Sequence, residues 1–313
     1  MKFNYKWVVA LAATLLLAAC GSDEEKSKKE EQAASENEGT PYTVTDDRGV
    51  EVTFDEVPET IISLQPSNTE ILFELGVGDQ IIGATEFDTY PEEAQKIERV
   101  STSTVINAER ILELDPDVVV AYTIGEEAQI TQLEDAGLKV FVIASAATFD
   151  DVYSDIIQLS EVMGVEHKGE EIVADIKSQI KTVQEKTAAI STKKKAYYEV
   201  SPAPDLWTTG NSTFQQEIMD HANVENIFAD QSSWISVAEE DVITRNPEII
   251  ITPATYMDNA VDEILGRTGW NKIQAVTDQA VYLVDGDVMS RPGPRIGEAV
   301  EIMAQSVYPE LFK

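Results

Sequence analysis

Apolar residues along the chain fall into two rhythms. Short runs at Ile61-Ile62-Ser63-Leu64, Ile81-Ile82-Gly83-Ala84, Val118-Val119-Val120 and residues 139–143 read as buried strands. Between them apolar positions recur at helical spacing, up to Leu75 before Gly76 and over 128–136 before Gly137. This alternation predicts an α/β lobe over 41–150 with a mostly parallel sheet. A small hairpin around Gly49, from Tyr42 to Phe54, precedes it. From 149 to 190 the strand pattern stops, and Val152, Ile156, Leu159 and Val162, then Ile172, Ile176, Ile180 and Val183, keep a helical period. Gly164 and Gly169 are expected to interrupt that stretch. A long helix over 168–189 remains as a stiff strut within a connecting segment 151–192. A second lobe over 193–313 follows, with strands expected at 196–200, 249–252 and 280–284 and a closing helix at 296–307.

One sentence of this pattern is spoken twice. Glu109-Arg110-Ile111-Leu112-Glu113-Leu114-Asp115-Pro116-Asp117-Val118-Val119-Val120 returns 131 positions later, from Glu240 to Ile251 around Pro247. In both copies an acid stands seven residues before the proline, and the proline ends a helix just ahead of a β-branched strand. Two similar α/β lobes joined by one long rigid helix are therefore expected. Ser236 and Glu239 have the spacing of a capping box leading into the second copy.

Composition sharpens this picture at the chain's start and on its surface. Lys2 and Lys6 precede an apolar run from Trp7 to Ala19, too short to span a bilayer comfortably, so 1–19 reads as an export signal. Leu17-Ala18-Ala19-Cys20-Gly21 is similar to a bacterial lipobox, which makes Cys20, the sole cysteine, a lipidation site and 20–40 a polar tether. The protein is expected on the outer face of the cytoplasmic membrane, held by its lipid. A net charge of −34 excludes a large basic surface, so nucleic acid is not an expected partner.

The chemistry is sparse. No phosphate-binding or dinucleotide glycine pattern occurs, and His167 and His221 are the only histidines, so no nucleophile has an evident base and no zinc cluster can be assembled. Binding fits better than catalysis, and no cofactor is expected. An enzyme using Asp287 as a general base, and an adhesive surface protein, are the other classes considered. Tyr90, Tyr122, Trp207 and Trp234 fall where strands meet loops, as the walls of a cleft for a broad, partly apolar ligand would. Asn68 lies in the turn that opens the first helix, and Asp287 and Arg291 are placed to pair across the last loop. Glu109 and Glu240 suit their helix dipoles. Their matched places also suit a two-fold partner carrying arginines.

Ile62-Ser63-Leu64-Gln65-Pro66-Ser67-Asn68-Thr69-Glu70, Tyr90-Pro91, Val100-Ser101-Thr102, Asn107-Ala108-Glu109-Arg110-Ile111 and Asp287 with Ser290-Arg291-Pro292-Gly293-Pro294-Arg295 together resemble the cobalamin branch of the substrate-binding proteins for cobalamin, ferric siderophores and haem. The likeness runs from Ile61 to Phe312. It implies the class III periplasmic-binding-protein architecture, a monomer, and delivery of a ligand to an ABC permease and its ATPase. It also implies permease docking by Glu109 and Glu240, corrin contacts from Tyr90, Tyr122, Trp207 and Trp234, and polar contacts from Asn68, Asp287 and Arg291. Ser103 departs from the tryptophan that the cobalamin binders carry there. Ferric catecholates want clustered cations, which seven arginines in so acidic a chain do not offer. Haem could use Tyr90 or Tyr122 on its iron. A neutral corrinoid fits the aromatic walls best, and hydroxamate siderophores come second.

Overall fold

The computed structural model describes residues 40–102, 105–122 and 127–313. The signal, Cys20, the tether and Ser103 lie outside these. Strands β1 (Tyr42–Thr45) and β2 (Glu51–Phe54) pair as the expected hairpin, with Val44, Val52 and Phe54 inward and the alternate residues outward. The first lobe then builds a five-stranded sheet in the order β5 (Arg99–Ser101), β4 (Ile81–Thr85), β3 (Ile61–Ser63), β6 (Val118–Tyr122), β7 (Val140–Ile143), parallel throughout. Helices α1 (Pro66–Glu74), α2 (Ala108–Leu114) and α3 (Glu127–Asp135) connect these strands. Because helices cover both faces, β6 is buried on both sides. Val119 packs with Ile62, Ile111 and Leu133, and Val118 and Val120 with Ile71 and Phe141.

The connector is a helical hairpin rather than a lone rod. Helix α4 (Phe149–Val162) opens with a capping box between Thr148 and Asp151 and ends where Gly164 adopts φ +62°. Helix α5 (Glu166–Thr187) returns across it, and is the long strut expected from the pattern. Gly169 does not interrupt this strut. It sits inside α5 against Ser160, and a Cβ there would stand 2.3 Å from the serine hydroxyl, so the glycine permits close helix crossing. Ile172, Ile176, Ile180 and Val183 share one apolar cluster with Val152, Ile156 and Leu159 on one side and Val300, Met303 and Val307 on the other. The core thus runs unbroken from lobe to lobe.

The second lobe contains helices α6 (Phe214–His221), α7 (Glu239–Arg245), α8 (Ala260–Gly266), α9 (Gln274–Thr277), α10 (Gly286–Ser290) and α11 (Ile296–Val307). Its strands are β8 (Lys195–Ser201), β9 (Trp207–Thr209), β10 (Glu225–Asn226), β11 (Trp234–Ser236), β12 (Ile249–Thr252) and β13 (Val281–Leu283), in the order β11-β9-β8-β12-β13, with β10 beside β8. From β8 through β12 to β13 the strands are parallel, as β3, β6 and β7 are. On the far side, β9 and β11 are antiparallel, so this half departs from the first lobe.

The repeated unit folds alike in both lobes. Asp115 and Asn246 each end their helix at φ 47°, a left-handed cap that Asp and Asn tolerate better than most residues, immediately before the proline. One residue past the proline, the Asp117 carboxylate accepts from the Glu59 and Thr60 amides, and Glu248 from the Lys195 amide, tying each helix end to the neighbouring strand.

The capping box expected at Ser236 and Glu239 does not form. The helix starts at Glu239, so Ala238, which has no capping group, is the N-cap and Ser236 ends strand β11; the Glu239 carboxylate accepts instead from the indole N–H of buried Trp270 at 2.9 Å. None of the described helices is long and apolar enough to cross a membrane.

Candidate ligand cleft between the lobes

Two structures place the aromatic candidates. In the first lobe the loop after β4 is clamped by Asp88, which is fully buried and accepts from the amide and hydroxyl of Thr85. Arg99 donates to the Asp88 carbonyl and Gln95 to that of Thr89, and the Tyr90-Pro91 bond is cis. This clamp leaves Phe87 and Tyr90 each 47% exposed. In the second lobe the β9–β11 ribbon sets Trp234 opposite Thr209 and Trp207 opposite Ser236. Two residues along a strand share a face, so both indoles stand on the same side of the ribbon, 42% and 41% exposed for Trp207 and Trp234. The indole N–H of Trp234 donates to Gln215, whose amide reaches the Met289 carbonyl.

That carbonyl belongs to α10, the short helix that also carries Asp287, with Arg291 just beyond it. Arg291 donates to the Phe87 carbonyl and the Thr89 hydroxyl, and pairs with Asp287 at 2.8 Å. The Thr89 hydroxyl in turn donates to Asp287. The Tyr90 loop, Asp287, Arg291 and Trp234 are thereby linked through one hydrogen-bonded seam, and Trp207 stands on the same ribbon face as Trp234. Phe87, which sequence reasoning passed over, joins them. A large aromatic in a polar loop after a strand was the signal available for it.

Behind the seam lies a network that no local pattern announced. Glu70, on α1, is buried and accepts from Arg291 at 2.8 Å and from Arg295 at 2.6 and 2.8 Å, across 221 and 225 positions of sequence. Burial alone would lower the affinity of Arg295 for its proton, but the bonds to Glu70 outweigh this and raise it. The Arg295 guanidinium also lies 4.1 Å from the centre of the Tyr90 ring. The Asp287–Arg291 pair is therefore no isolated surface ion pair. Two guanidiniums and two carboxylates neutralise one another across the seam, leaving neither arginine free for an anionic ligand. A cavity of about 390 Å³ lies on the strut side of this network, lined in part by Glu70, Tyr90, Ile172, Ile176 and Arg295. The exposed indoles do not line it.

Two candidates stand apart from this group. Asn68 is the third residue of α1, not part of a turn, and is fully buried with neither amide atom hydrogen-bonded. Tyr122, half-buried at the end of β6, is bonded to Ser145, and burial pushes its hydroxyl above the ordinary range. Glu109 and Glu240 are each the second residue of their helix, exposed, and without a hydrogen bond to another described residue. The arginines on the same two helices are already engaged: Arg110 by Glu98 and Glu113, Arg245 by Asp230.

Two α/β lobes bridged by a helical strut, with exposed aromatics in both and a charge network between them, suit the binding of a ligand. The chain belongs to the periplasmic binding protein family, whose model matches residues 61–288, and within it to the substrate-binding proteins of ABC importers. It is 40% identical over 286 residues, 90% of each chain, to a Bacillus subtilis protein named as an uncharacterized ABC transporter substrate-binding lipoprotein, YvrC. It is 30% identical to a vitamin B12-binding protein of Vibrio parahaemolyticus, over 77% of this chain and 86% of that one. Among solved structures it is similar to a possible iron-binding periplasmic protein of Staphylococcus epidermidis, with TM-score 0.73 and 31% identity, covering 81% of this chain and 100% of that chain.

Proposed function

We propose that the protein captures cobalamin or a related corrinoid at the seam between its lobes and delivers it to an ABC permease and its ATPase. The observation that carries this reading is the combination of exposed aromatics with internally neutralised charge: Trp207 and Trp234 in one lobe and Phe87 and Tyr90 in the other are all well exposed, while Glu70 and Asp287 hold both arginines. A broad neutral ligand gains from such walls, and a trianionic one finds Arg291 and Arg295 already paired. The likeness to a vitamin B12-binding relative supports the same ligand. Tyr122 is poorly suited to hold haem iron, because a raised pKa opposes the phenolate that coordination requires.

A ferric hydroxamate is the second reading, favoured by the likeness to the possible iron-binding protein of Staphylococcus epidermidis. Titration of tryptophan fluorescence with cyanocobalamin, haemin and a ferric hydroxamate separates the three. Quenching by cyanocobalamin is expected, and quenching by the hydroxamate alone transfers the assignment to it.

Lipidation at Cys20 would tether the protein to the outer face of the cytoplasmic membrane, a reading supported by the lipoprotein name of the Bacillus subtilis relative. Cys20→Ala should then release the protein into the medium. Glu109 and Glu240 would dock on permease arginines. Their support is an identical place in the repeat and the lack of a hydrogen bond to another described residue.

A further inference from the structure

The loop after β12, residues 253–259, leaves the carboxyl end of a parallel strand, the end at which open α/β sheets take their ligands. Its base is fixed. Ala254 is buried and its amide donates to the Thr252 hydroxyl, while the Met257 amide donates to the Ala254 carbonyl. The loop also packs directly on the start of α10. A Cβ on Gly286 would stand 2.7 Å from the Pro253 carbonyl oxygen and 3.1 Å from the Thr255 hydroxyl, a closeness that glycine permits. Gly286 immediately precedes Asp287, which accepts from the Thr89 hydroxyl of the first lobe. Tyr256 immediately follows Thr255 and is 74% exposed, more than Phe87, Tyr90, Trp207 or Trp234. Among the described residues it makes no hydrogen bond and no ring contact, so packing within the fold does not account for an aromatic side chain here.

The strand order sets where this loop stands. Strands β9, β8, β12 and β13 are consecutive neighbours in the sheet. Trp207 lies opposite Ser201 at the carboxyl end of β8, β12 ends beside β8 and enters the Tyr256 loop, and β13 runs on into α10 and Asp287. Neighbouring strands lie about 4.8 Å apart, so about 14 Å separates β9 from β13, with the Tyr256 loop rising between them. A ligand broad enough to touch both Trp207 and Asp287 must cross the end of β12. We infer that Tyr256 is a further binding residue of the cleft, which lays its ring on the bound corrinoid between Trp207 and Asp287. The inference rests on the corrinoid reading above. A ring left wet in the free protein loses its water only when the ligand arrives, so its apolar surface contributes to affinity and not to the stability of the fold.

Equilibrium dialysis against cyanocobalamin, read by its visible absorbance, tests this on the wild type, Tyr256→Ala and Tyr256→Phe. Tyr256→Ala should weaken binding about tenfold, the scale of a ring buried at an interface, with an unchanged melting temperature because the side chain has no partner in the fold. Tyr256→Phe should stay within about twofold of the wild type, since the ring carries the contact. A second measurement needs no variant. Nitration by tetranitromethane, mapped by mass spectrometry, should reach Tyr256 and Tyr90 in the free protein and spare the buried Tyr197 and Tyr198. Saturating cyanocobalamin should protect both Tyr256 and Tyr90. If Tyr90 is protected while Tyr256 stays reactive, or if Tyr256→Ala binds as tightly as the wild type, the inference is overturned and the corrinoid reading stands. A wild type that binds no cyanocobalamin overturns both.

Discussion

The two lobes carry the same frame and different walls. In each, a helix begins with an exposed acid at its second residue, ends at φ 47° before a proline, and feeds a strand beside the lobe's first one. Beyond that first strand they diverge. The first lobe adds two more parallel strands, β4 and β5, and presents aromatics from a clamped loop. The second adds the antiparallel ribbon β9–β11 and presents them from its face. A parallel strand needs a helical crossover that covers the sheet, whereas an antiparallel ribbon turns tightly and can leave one face exposed. The repeated half therefore fixes spacing and orientation, and the divergent half is free to shape the site.

Reversing charge at Glu109 and Glu240 together should have the largest consequence, loss of uptake in vesicles bearing the permease, with ligand affinity unchanged. The single reversals should be equal in size if the two frames are equivalent. Reduced affinity would move these residues from docking to the pocket. Next comes Glu70→Gln, which leaves Arg291 and Arg295 without their shared anion. Removing one member of so buried a network costs about 3–5 kcal/mol, read from the urea midpoint.

Smaller effects distinguish the walls. Trp207→Ala and Trp234→Ala should each weaken ligand binding by about 10- to 100-fold, the scale of an aromatic hot spot, with folding preserved because both rings are well exposed. Phe87→Ala should match them if both lobes share the load. The frames themselves are tested most gently. Asp115→Gly and Asn246→Gly should each change stability by no more than about 1 kcal/mol, toward greater stability where relief of left-handed strain outweighs the entropy of glycine. Valine at either position should cost about 1–2 kcal/mol. Asn246→Gly should be the less favourable of the two, because the Asn246 side-chain oxygen also accepts from the Gln274 amide at 2.8 Å.

Much of this organisation is local and was therefore legible in the chain. The prolines at 116 and 247 end helices, β-branched runs make strands, and an acid near a helix start is favoured by the peptide dipoles wherever that helix lies. From such signals the repeat, the two lobes, the strut and the exposed matched acids all follow. Gly169 and Glu239 misled because each obeys a partner distant in the fold: Ser160 across the helical hairpin, and Trp270 beneath α7. The antiparallel ribbon was not legible, since three-residue strands have too few positions for period alone to set direction. Nor was the seam. Glu70 reads as an ordinary helix acid until folding brings Arg291 and Arg295 to it, and Asn68, adjacent to Pro66 and Ser67 in a turn-like run, reads as a turn residue until the helix is seen to begin at Pro66. Sequence alone determined what each segment becomes, because backbone propensity and periodic burial act within a few residues. Tertiary structure decided which charges meet and which rings stay wet, because those outcomes depend on groups more than 200 positions apart losing water together.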